Sequence, residues 1–212
     1  MNIAIVGAGH IGGTLTRRLS ALGHQVTVAN SRGPESLAAL VEETGARAAY
    51  ADQAARGADL VIITIPEGRV PDLPAGLLTG LPAETPVVDT GNYYPRRDGR
   101  IEAIEGGMAE SRWVATQLGR DVIKAFNTIA SGSLLADGKP AGTPGRIALP
   151  VAGDDAAAKA TVMALVDQLG FDPVDAGGLD DSWRQQPGAP VYAANRDAAG
   201  VQAGLAVATR LR

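Results

Sequence analysis

The sequence predicts an α/β fold with a doubly wound, mostly parallel sheet. Three observations lead to this class. Short apolar runs alternate with helical patterns along the 212 residues, these runs are continuous in hydrophobicity, and the links between them are short. Continuous apolar strands are typical of a parallel sheet that helices cover on both faces. Strand–helix–strand units of this kind connect parallel neighbours through right-handed crossovers.

The first half of the chain carries the strongest strand signals. Strands are predicted at Asn2–Val6, Gln25–Ala29, Ala46–Tyr50, Leu60–Ile65 and Pro86–Thr90, with Ala46–Tyr50 the weakest. Between the first two strands, apolar residues recur at helical spacing at Ile11, Leu15, Leu19 and Leu22. Gly23 ends that helix, and a second helix is predicted over Pro34–Thr44, with the proline in its first turn.

The second half continues the alternation. Helices are predicted at Met108–Leu118, Asp154–Leu169 and the Ala-rich Asn195–Leu211. Strands are predicted at Asp121–Phe126, Ile147–Val151 and Phe171–Asp175. The segments Tyr93–Arg100 and Ala136–Arg146 are rich in glycine, proline and charge, so we expect them to be mobile loops.

Composition excludes several classes of function. The formal net charge is −4 and no cluster of Lys and Arg stands out, which argues against a nucleic-acid partner. The absence of cysteine excludes disulfides, thiolate metal sites and thiol nucleophiles, and two histidines are too few to favour a metal site. The N-terminus has no signal-peptide pattern and no apolar run is long enough to span a bilayer. We therefore expect a soluble, cytoplasmic protein without a membrane partner.

The strongest local motif is the glycine-rich turn Gly7-Ala8-Gly9-His10-Ile11-Gly12, which follows the first strand and opens the first helix. In such a turn Gly7 permits the tight bend, Gly9 lets the backbone approach a pyrophosphate, and Gly12 lets helix and strand pack closely. The helix N-terminus offers free N–H groups and the positive end of its dipole to the anion. The motif therefore predicts a dinucleotide site of the Rossmann type, in which His10 lines the turn.

The end of the second strand indicates which dinucleotide binds. NAD sites usually place Asp or Glu there to bind the ribose 2′-hydroxyl, whereas this chain has Asn30-Ser31-Arg32. No acid is present to repel a 2′-phosphate, and a hydroxyl and a guanidinium can bind one through charge-assisted hydrogen bonds. We therefore predict NADP(H) rather than NAD(H) as the cofactor.

Six stretches carry a resemblance to a known family. They are Ile5–Gly12, Asn30–Arg32, Val87–Asn92, Val122–Ile129, Pro150–Asp155 and Leu169–Gly177. In this order they resemble the coenzyme F420-dependent NADP oxidoreductase family, and the chain is also similar to the cytosolic reductase domain of STEAP-type metalloreductases. The glycine turn is common to many dehydrogenases, but the stretches Lys124–Asn127 and Val151–Asp155 are much more particular to this family.

The resemblance implies that two parts of the chain together serve one reaction. Residues 1–130 would form an NADP-binding Rossmann domain, and residues 131–212 a small C-terminal portion that extends the sheet. The second part would shape a shallow pocket beside the nicotinamide for a planar tricyclic acceptor. The implied reaction is hydride transfer between NADP(H) and coenzyme F420, or a flavin such as FMN or FAD.

The site residues are implied by the same resemblance. For the cofactor they are Gly7, Gly9, His10, Ile11 and Gly12 at the phosphates, Asn30, Ser31 and Arg32 at the 2′-phosphate, Ile65 and Pro66 at the cofactor edge, and Asn92, Ala125 and Asn127 towards the nicotinamide. For the acceptor they are Asn127 and Ile129. No catalytic residue and no metal ligand are implied.

Two stretches depart from the family pattern and leave the acceptor open. Asn92–Arg97 is more aromatic and basic than the resemblance leads one to expect, and the chain from Ser182 onward does not match closely. Tyr93 and Tyr94 could stack on the acceptor ring or form a dimer contact, and Trp183 is open in the same way.

Few residues are needed for acid–base chemistry, because the cofactors carry the difficult step and the protein aligns them and excludes water. A carbonyl reductase would need a proton donor. Lys124 could serve, but we interpret it as a strand-end lysine that faces solvent. Asp89 is interpreted as a cap of the following turn, and Asp154-Asp155 as a cap of the next helix.

Other functions remain open alternatives. They are an NADPH-dependent ferric or flavin reductase, a small carbonyl or imine reductase, and a non-catalytic NADP(H) sensor. The expected partner is a small redox acceptor. A homodimer is also predicted, with Val201, Leu205 and Val207 of the terminal helix as its contact surface.

Overall fold

A computed structural model, which describes residues 1–210, shows a main sheet of parallel strands. The strands are β1 (Asn2–Val6), β2 (Gln25–Ala29), β3 (Arg47–Ala48), β4 (Leu60–Ile63), β5 (Val87–Asp89) and β6 (Ile123–Lys124). Their order is β3-β2-β1-β4-β5-β6. The direction of winding reverses between β1 and β4, and ligands of doubly wound sheets bind beyond the carboxyl ends of the strands at such a point.

Helices connect these strands and cover both faces of the sheet. The α-helices are α1 (His10–Ala21), α2 (Ala38–Thr44), α3 (Ala51–Ala54), α4 (Pro95–Asp98), α5 (Glu102–Glu105), α6 (Glu110–Leu118), α7 (Ser131–Ala136), α8 (Ala156–Gln168) and α9 (Ala198–Ala206). Short 3₁₀ helices lie at Pro34–Leu37, Glu67–Asp72 and Leu179–Gln185. Within residues 1–210, no helix is long and apolar enough to cross a membrane.

The core consists of two layers because successive strand residues point to opposite faces. Ile3 and Ile5 of β1 pack with residues of α1 and α8 on one face. Ala4 and Val6 pack with residues of α6 on the other face. Both faces are therefore dry, as the continuous apolar strands predicted.

A second, two-stranded parallel sheet continues this architecture. It consists of β7 (Ala148–Val151) and β8 (Asp172–Asp175). An antiparallel bridge between Lys124 and Ala152 joins it to the edge strand β6, through two backbone hydrogen bonds of 2.8 and 3.0 Å. The predicted fold class, a doubly wound sheet with a small C-terminal α/β extension, is confirmed.

The predicted elements are present, and most are shorter than expected. Pro34–Thr44 begins as a 3₁₀ turn before α2, and Ala46–Tyr50 forms only the two residues of β3. The strand predicted at Asp121–Phe126 ends at Lys124, and Phe126 adopts a left-handed backbone with φ of 62°. One segment expected as a loop contains a helix, since α4 lies within Tyr93–Arg100. The other, Ala136–Arg146, begins at the last residue of α7 and has no helix or strand after it.

The predicted dimer surface on the terminal helix is wrong in part. Val201 and Leu205 are buried inside this chain, in one cluster with Ala148 of β7 and Val174 of β8. Val207 is 68% exposed, so it alone of the three faces outward. Leu211, the last residue of the predicted helix, lies outside the described residues. Small residues let α9 pack closely on the second sheet, which accounts for its composition.

This placement of α9 yields a stability prediction. We expect Val201→Ala to lower the free energy of unfolding by about 2 kcal/mol, because it leaves a cavity between α9 and the second sheet. Val207→Ala is the matched control and should change stability by less than about 0.5 kcal/mol. Urea unfolding followed by circular dichroism measures both. Equal effects of the two substitutions would show that α9 does not belong to the folded core.

Candidate functional site

The glycine turn between β1 and α1 can be built only with glycine at two positions. Gly7 has φ of 110°, and a Cβ there would collide with the carbonyl oxygen of Thr64, which follows β4. A Cβ on Gly12 would collide with the carbonyl oxygen of Gly7. These contacts arise because the first turn of α1 is pressed against the ends of β1 and β4, as the motif predicts.

Gly9 differs because the space beside it is open. A Cβ built on Gly9 would meet no atom of the described residues, 1–210, within 4 Å. Gly9 is the N-cap of α1, no side chain caps this helix, and its first turn contains no acidic residue. The 12-residue helix therefore presents its N-terminal N–H groups beside an open glycine. This cradle fits a pyrophosphate.

The turn after β2 lies beside the glycine turn, since the Gly7 N–H donates to the carbonyl of Ala29 at 2.8 Å. Asn30 shapes this turn: its Oδ1 accepts from the Arg32 N–H at 2.9 Å, and its Nδ2 donates to Ser36 at 2.8 Å. The side chains of Ser31 and Arg32 are exposed, and Arg32 forms no ion pair within residues 1–210. An unpaired guanidinium next to the cradle fits a 2′-phosphate.

The other predicted cofactor residues lie at the same edge of the sheet, in the first turn of α1 and after β4, β5 and β6. His10 and Pro66 are exposed, and Ile11 and Ile65 are half-buried. Ala125 and Ile129 are buried, so the structure does not present their side chains to solvent. The sheet thus brings the predicted residues together at one edge, some on its surface and some beneath it.

Asn92 and Asn127 form one amide network. Asn127 Nδ2 donates to Asn92 Oδ1 at 3.1 Å and to the carbonyl of Gln185 at 2.6 Å, and Asn92 Nδ2 donates to the carbonyl of Asn127 at 3.0 Å. Gln185 Nε2 in turn donates to Asn127 Oδ1 at 2.9 Å. The Asn127 side chain is thus buried and fully hydrogen-bonded to protein. Sequence reasoning missed Gln185, which lies in the stretch that departs from the family pattern.

The backbone is strained where this network begins. Phe126 is buried and non-glycine, yet has φ of 62°, a conformation that costs about 1–3 kcal/mol. Its neighbours hold it in place: Lys124 is bridged to Ala152, and Asn127 is bound to Asn92 and Gln185. Such strain is maintained only where the surroundings enforce it.

Lys124 does not face solvent, so the interpretation as an exposed strand-end lysine is wrong. Its side chain is completely buried. Its Nζ donates to Asp89 Oδ2 at 3.0 Å and to the carbonyl of Gly91 at 2.6 Å. The predicted cap by Asp89 is confirmed, because its Oδ1 accepts from the Gly91 N–H at 2.8 Å, but Asp89 also accepts from Ser111 at 2.7 Å. Asp89 is therefore the ion-pair partner of Lys124 as well as a turn cap.

Two further carboxyl groups complete this buried charge cluster, which we define as Glu67, Asp89, Glu110 and Lys124. Glu67 lies 3.7 Å from Lys124 Nζ and its side chain is fully buried. Burial, with the nearby charge of Asp89, raises the pKa of the Glu67 carboxyl well above its ordinary value. Burial opposes the charge of Lys124, but the carboxyl groups of Asp89, Glu67 and Glu110 outweigh it and raise the lysine pKa.

The aromatic residues near the site have separate roles. Tyr93 is fully buried, and its hydroxyl donates to Glu105 at 2.9 Å, so neither ring stacking nor a dimer contact is open to it. Tyr94 is 38% exposed, its hydroxyl shares a hydrogen bond with Tyr192, and the Arg97 guanidinium lies 5.0 Å from its ring centre. The guanidinium groups of Arg184 and Arg210 lie 5.6 and 5.2 Å from the ring centre of Trp183.

The adjacent acids Asp154 and Asp155 also differ. Asp155 caps α8, because its Oδ1 accepts from the N–H groups of Ala157 and Ala158 at 2.8 and 2.9 Å, as predicted. Asp154 instead accepts from Arg112 of α6 at 2.7 Å and from the Leu179 N–H at 2.8 Å. It therefore ties the C-terminal segment to α6 and takes no part in the cap.

Comparisons with known proteins agree with this geometry. A family profile described as "NADP oxidoreductase coenzyme F420-dependent" matches residues 2–93, the part that contains the glycine turn, Ser31-Arg32 and Asn92. YjhV of Escherichia coli K12 is 50% identical over 60 residues, which make up 28% of this chain and 44% of YjhV. The match thus spans less than half of that relative.

Solved structures extend the similarity to most of the chain. A hypothetical protein, SMa0349, from Sinorhizobium meliloti is 33% identical over 92% of this chain and 94% of its own, with a TM-score of 0.78. A "putative f420 dependent nadp-reductase" from Arthrobacter sp. FB24 is 28% identical over 84% and 86% of the two chains, with a TM-score of 0.67. An imine reductase from Pseudomonas sp., at 22% identity over 84% and 55% of the two chains (TM-score 0.56), shares the fold.

The buried charge cluster yields a stability prediction. We expect Lys124→Met to lower the free energy of unfolding by about 3–5 kcal/mol, because it leaves Asp89 charged and unpaired in the interior.

Glu67→Gln should leave stability at pH 7 unchanged or raised. In the unfolded chain, Glu67 ionises once the pH exceeds its ordinary pKa, whereas in the folded protein the raised pKa keeps it protonated to a higher pH. The wild type therefore loses stability as the pH rises from the unfolded-state pKa to the folded-state pKa of Glu67.

Thermal unfolding of both variants at pH 5 and pH 7 provides the measurement. Lys124→Met should melt far below the wild type at both pH values. The difference between wild type and Glu67→Gln should grow in favour of the variant from pH 5 to pH 7. A Lys124→Met protein as stable as the wild type would contradict the role given to the Lys124–Asp89 ion pair.

Proposed function

This chain belongs to the coenzyme F420-dependent NADP oxidoreductase family, and we propose that it transfers a hydride between NADP(H) and a deazaflavin or flavin-type acceptor. Membership makes it an NADP-dependent oxidoreductase. The observation that carries the proposal is the open cradle at Gly9 with the unpaired Arg32 beside it. One feature binds a pyrophosphate, and the other distinguishes a 2′-phosphate from a hydroxyl.

The proposed cofactor site uses residues from five strand ends, those of β1, β2, β4, β5 and β6. The turn from Gly7 to Gly12, including His10 and Ile11, holds the phosphates, and Ser31 and Arg32 hold the 2′-phosphate. Asn30 supports these two by shaping their turn. Ile65 and Pro66 border the cofactor, and Asn92 reaches the nicotinamide end. Ala125, Asn127 and Ile129 are assigned a supporting part, because their side chains are buried under this edge.

The chemistry requires little of the protein beyond alignment. When bound, NADPH supplies a hydride from the nicotinamide ring, and the acceptor takes up that hydride and one proton. The amide network of Asn92, Asn127 and Gln185 fixes the turn beside this position. Rigid placement of two reactants contributes to rate without acid–base groups.

Tyr94, Tyr192 and Arg97 are proposed as the wall of the acceptor site. Arg97 donates to the carbonyl of Asn92, so this wall is connected to the nicotinamide end of the cofactor site. The half-exposed Tyr94 ring with a guanidinium on its face offers a surface for a planar, electron-poor ring system. The acceptors that fit are F420, FMN and FAD.

Two expectations about the protein in solution are retained as proposals. We expect a homodimer, as is common for symmetric assembly of such enzymes. Its contact surface must exclude Val201 and Leu205, which are buried in the chain itself. We also expect a cytoplasmic enzyme, because NADP(H) and its acceptors are supplied there.

The acceptor can be identified by a direct assay. Purified protein is mixed with NADPH or NADH and then with F420, FMN, FAD or a ferric chelate, while the absorbance of the reduced nicotinamide is followed. We expect oxidation of NADPH with F420 or a flavin, and much slower oxidation of NADH. Oxidation with the ferric chelate alone would assign a metal reductase, and binding of NADPH without any oxidation would assign a sensor.

Arg32 provides the test of cofactor choice. We expect Arg32→Ala to weaken NADPH binding by about tenfold or more, since it removes a charge-assisted contact to the 2′-phosphate, and to leave NADH binding unchanged. Arg56→Ala is the control, because Arg56 is an exposed arginine before β4, at the opposite edge of the sheet. Isothermal titration calorimetry gives both affinities. An equal loss for the two dinucleotides would contradict 2′-phosphate recognition.

A further inference from the structure

The buried charge cluster lies directly behind the proposed nicotinamide end of the site. Each of three strand ends contributes a proposed cofactor residue and a residue of the cluster or one bound to it, side by side in the sequence. The pairs are Pro66 with Glu67, Asn92 with Gly91, and Ala125 with Lys124. The Glu67 carboxyl also touches this turn, because a Cβ on Gly91 would lie 2.9 Å from Glu67 Oε1.

The cluster contains more acids than its single base can neutralise. Glu67 and Asp89 are at most 2% exposed, and both face the same cation, Lys124. Lys124 is committed to Asp89 and to the carbonyl of Gly91. Carboxyl groups that share a dry site cannot all ionise, because their charges repel each other and lack water. At least one proton must therefore be held in the cluster.

Glu67 is the group that holds this proton. Asp89 accepts hydrogen bonds from Lys124, Ser111 and the Gly91 N–H, so both of its carboxyl oxygens have donors. Neither carboxyl oxygen of Glu67 accepts a hydrogen bond from any part of residues 1–210, and Lys124 Nζ is 3.7 Å away. An ionised Glu67 would thus be a nearly unsupported buried charge.

Within residues 1–210, the surroundings of Glu67 supply no other free cation. The groups that face it are Asp89 on β5, Lys124 on β6, Glu110 on α6, and Arg97 and Asp98 on α4. Arg97 is paired with Asp98 at 2.8 Å. In the part of the chain that the structure describes, a positive charge that could stabilise ionised Glu67 would therefore have to come from a ligand.

We propose that Glu67 couples the charge of the nicotinamide to a proton, so that it is protonated beside neutral NADPH and deprotonates beside the positively charged ring of NADP⁺. This inference rests on the proposed cofactor site. Glu67 is a positioning group for charge and does not touch the reacting atoms.

The coupling balances within the proposed reaction. The hydride leaves the nicotinamide with its electron pair and forms a new bond to the acceptor ring, which also takes one proton from solvent. The nicotinamide ring gains a positive charge, and the Glu67 O–H bond breaks to release a proton to solvent. The bound state thus gains one positive charge on the ring and one negative charge on Glu67, and the edge of the sheet keeps its net charge.

The coupling fixes the sign of a pH dependence. A nearby positive charge favours ionised Glu67, so its pKa is lower in the NADP⁺ complex than in the free protein. Between these two pKa values, NADP⁺ binding releases a proton and its affinity rises with pH, while NADPH binding releases none. The ratio of the NADP⁺ and NADPH affinities isolates this effect, because the 2′-phosphate titrates equally in both cofactors.

Calorimetry measures the ratio of the NADP⁺ and NADPH affinities from pH 6 to pH 9, in two buffers of different ionisation enthalpy. The proteins compared are the wild type, Glu67→Gln and Glu84→Gln. Glu84 is an exposed acid before β5, at the opposite edge, and controls for the loss of one charge. For the wild type and Glu84→Gln, we expect proton release with NADP⁺ only. For Glu67→Gln, we expect no release and an affinity for NADP⁺, relative to NADPH, reduced by about tenfold at high pH.

A second measurement distinguishes deprotonation of Glu67 from a purely structural effect of substituting it. The infrared difference spectrum on binding NADP⁺ should show loss of a protonated carboxyl band in the wild type and no such loss in Glu67→Gln. An unchanged affinity ratio in Glu67→Gln, or no proton release by the wild type, would overturn the coupling while NADP(H) binding itself stands. A wild type that binds neither dinucleotide would refute the proposed function, and the coupling with it.

Discussion

The ion pair between Lys124 and Asp89 is the interaction on which the rest of the site depends. The Lys124 side chain holds Asp89 and the carbonyl of Gly91, and so fixes the turn that presents Asn92. Its backbone N–H and carbonyl, at the same position, form the bridge to Ala152 that attaches the second sheet. One residue therefore sets both the geometry of the cofactor edge and the place of the C-terminal extension. A buried lysine is tolerated here only because carboxyl groups surround it.

The fold could be predicted because its determinants are local. Strands β1, β2, β4 and β5 are short apolar runs, and the glycine turn must adopt its shape for steric reasons that sequence alone reveals at Gly7 and Gly12. The exposed half of the site follows equally, since Ser31 and Arg32 lie where a strand end must place them. The predicted strands are longer than the observed ones because hydrophobicity continues past the last paired residues, as at Phe126, where the backbone turns left-handed.

The buried half of the site could not be predicted, because its residues are distant in sequence. Lys124 is 35 residues from Asp89 and 57 from Glu67, and a lysine in a two-residue strand carries no local signal of burial. Glu67 follows Pro66 in a segment with no apolar periodicity. Val201 and Leu205 were placed on a surface because a helix rich in alanine looks weakly amphipathic, whereas small residues allow it to lie close to a sheet. In each case, a long-range contact outweighed the local preference.

The two halves of this edge meet different physical demands. The phosphates of a dinucleotide carry fixed charge, so their side must be open, with unsatisfied N–H groups and a solvated guanidinium. The nicotinamide changes its charge during the reaction, so its side benefits from a dry environment in which a neighbouring group can respond. A water-filled site would screen that response, and a single exposed carboxylate would stay ionised throughout. An excess of buried carboxyl groups over cations leaves one proton weakly held, and this is why Glu67, without a hydrogen-bond donor, is the group able to respond.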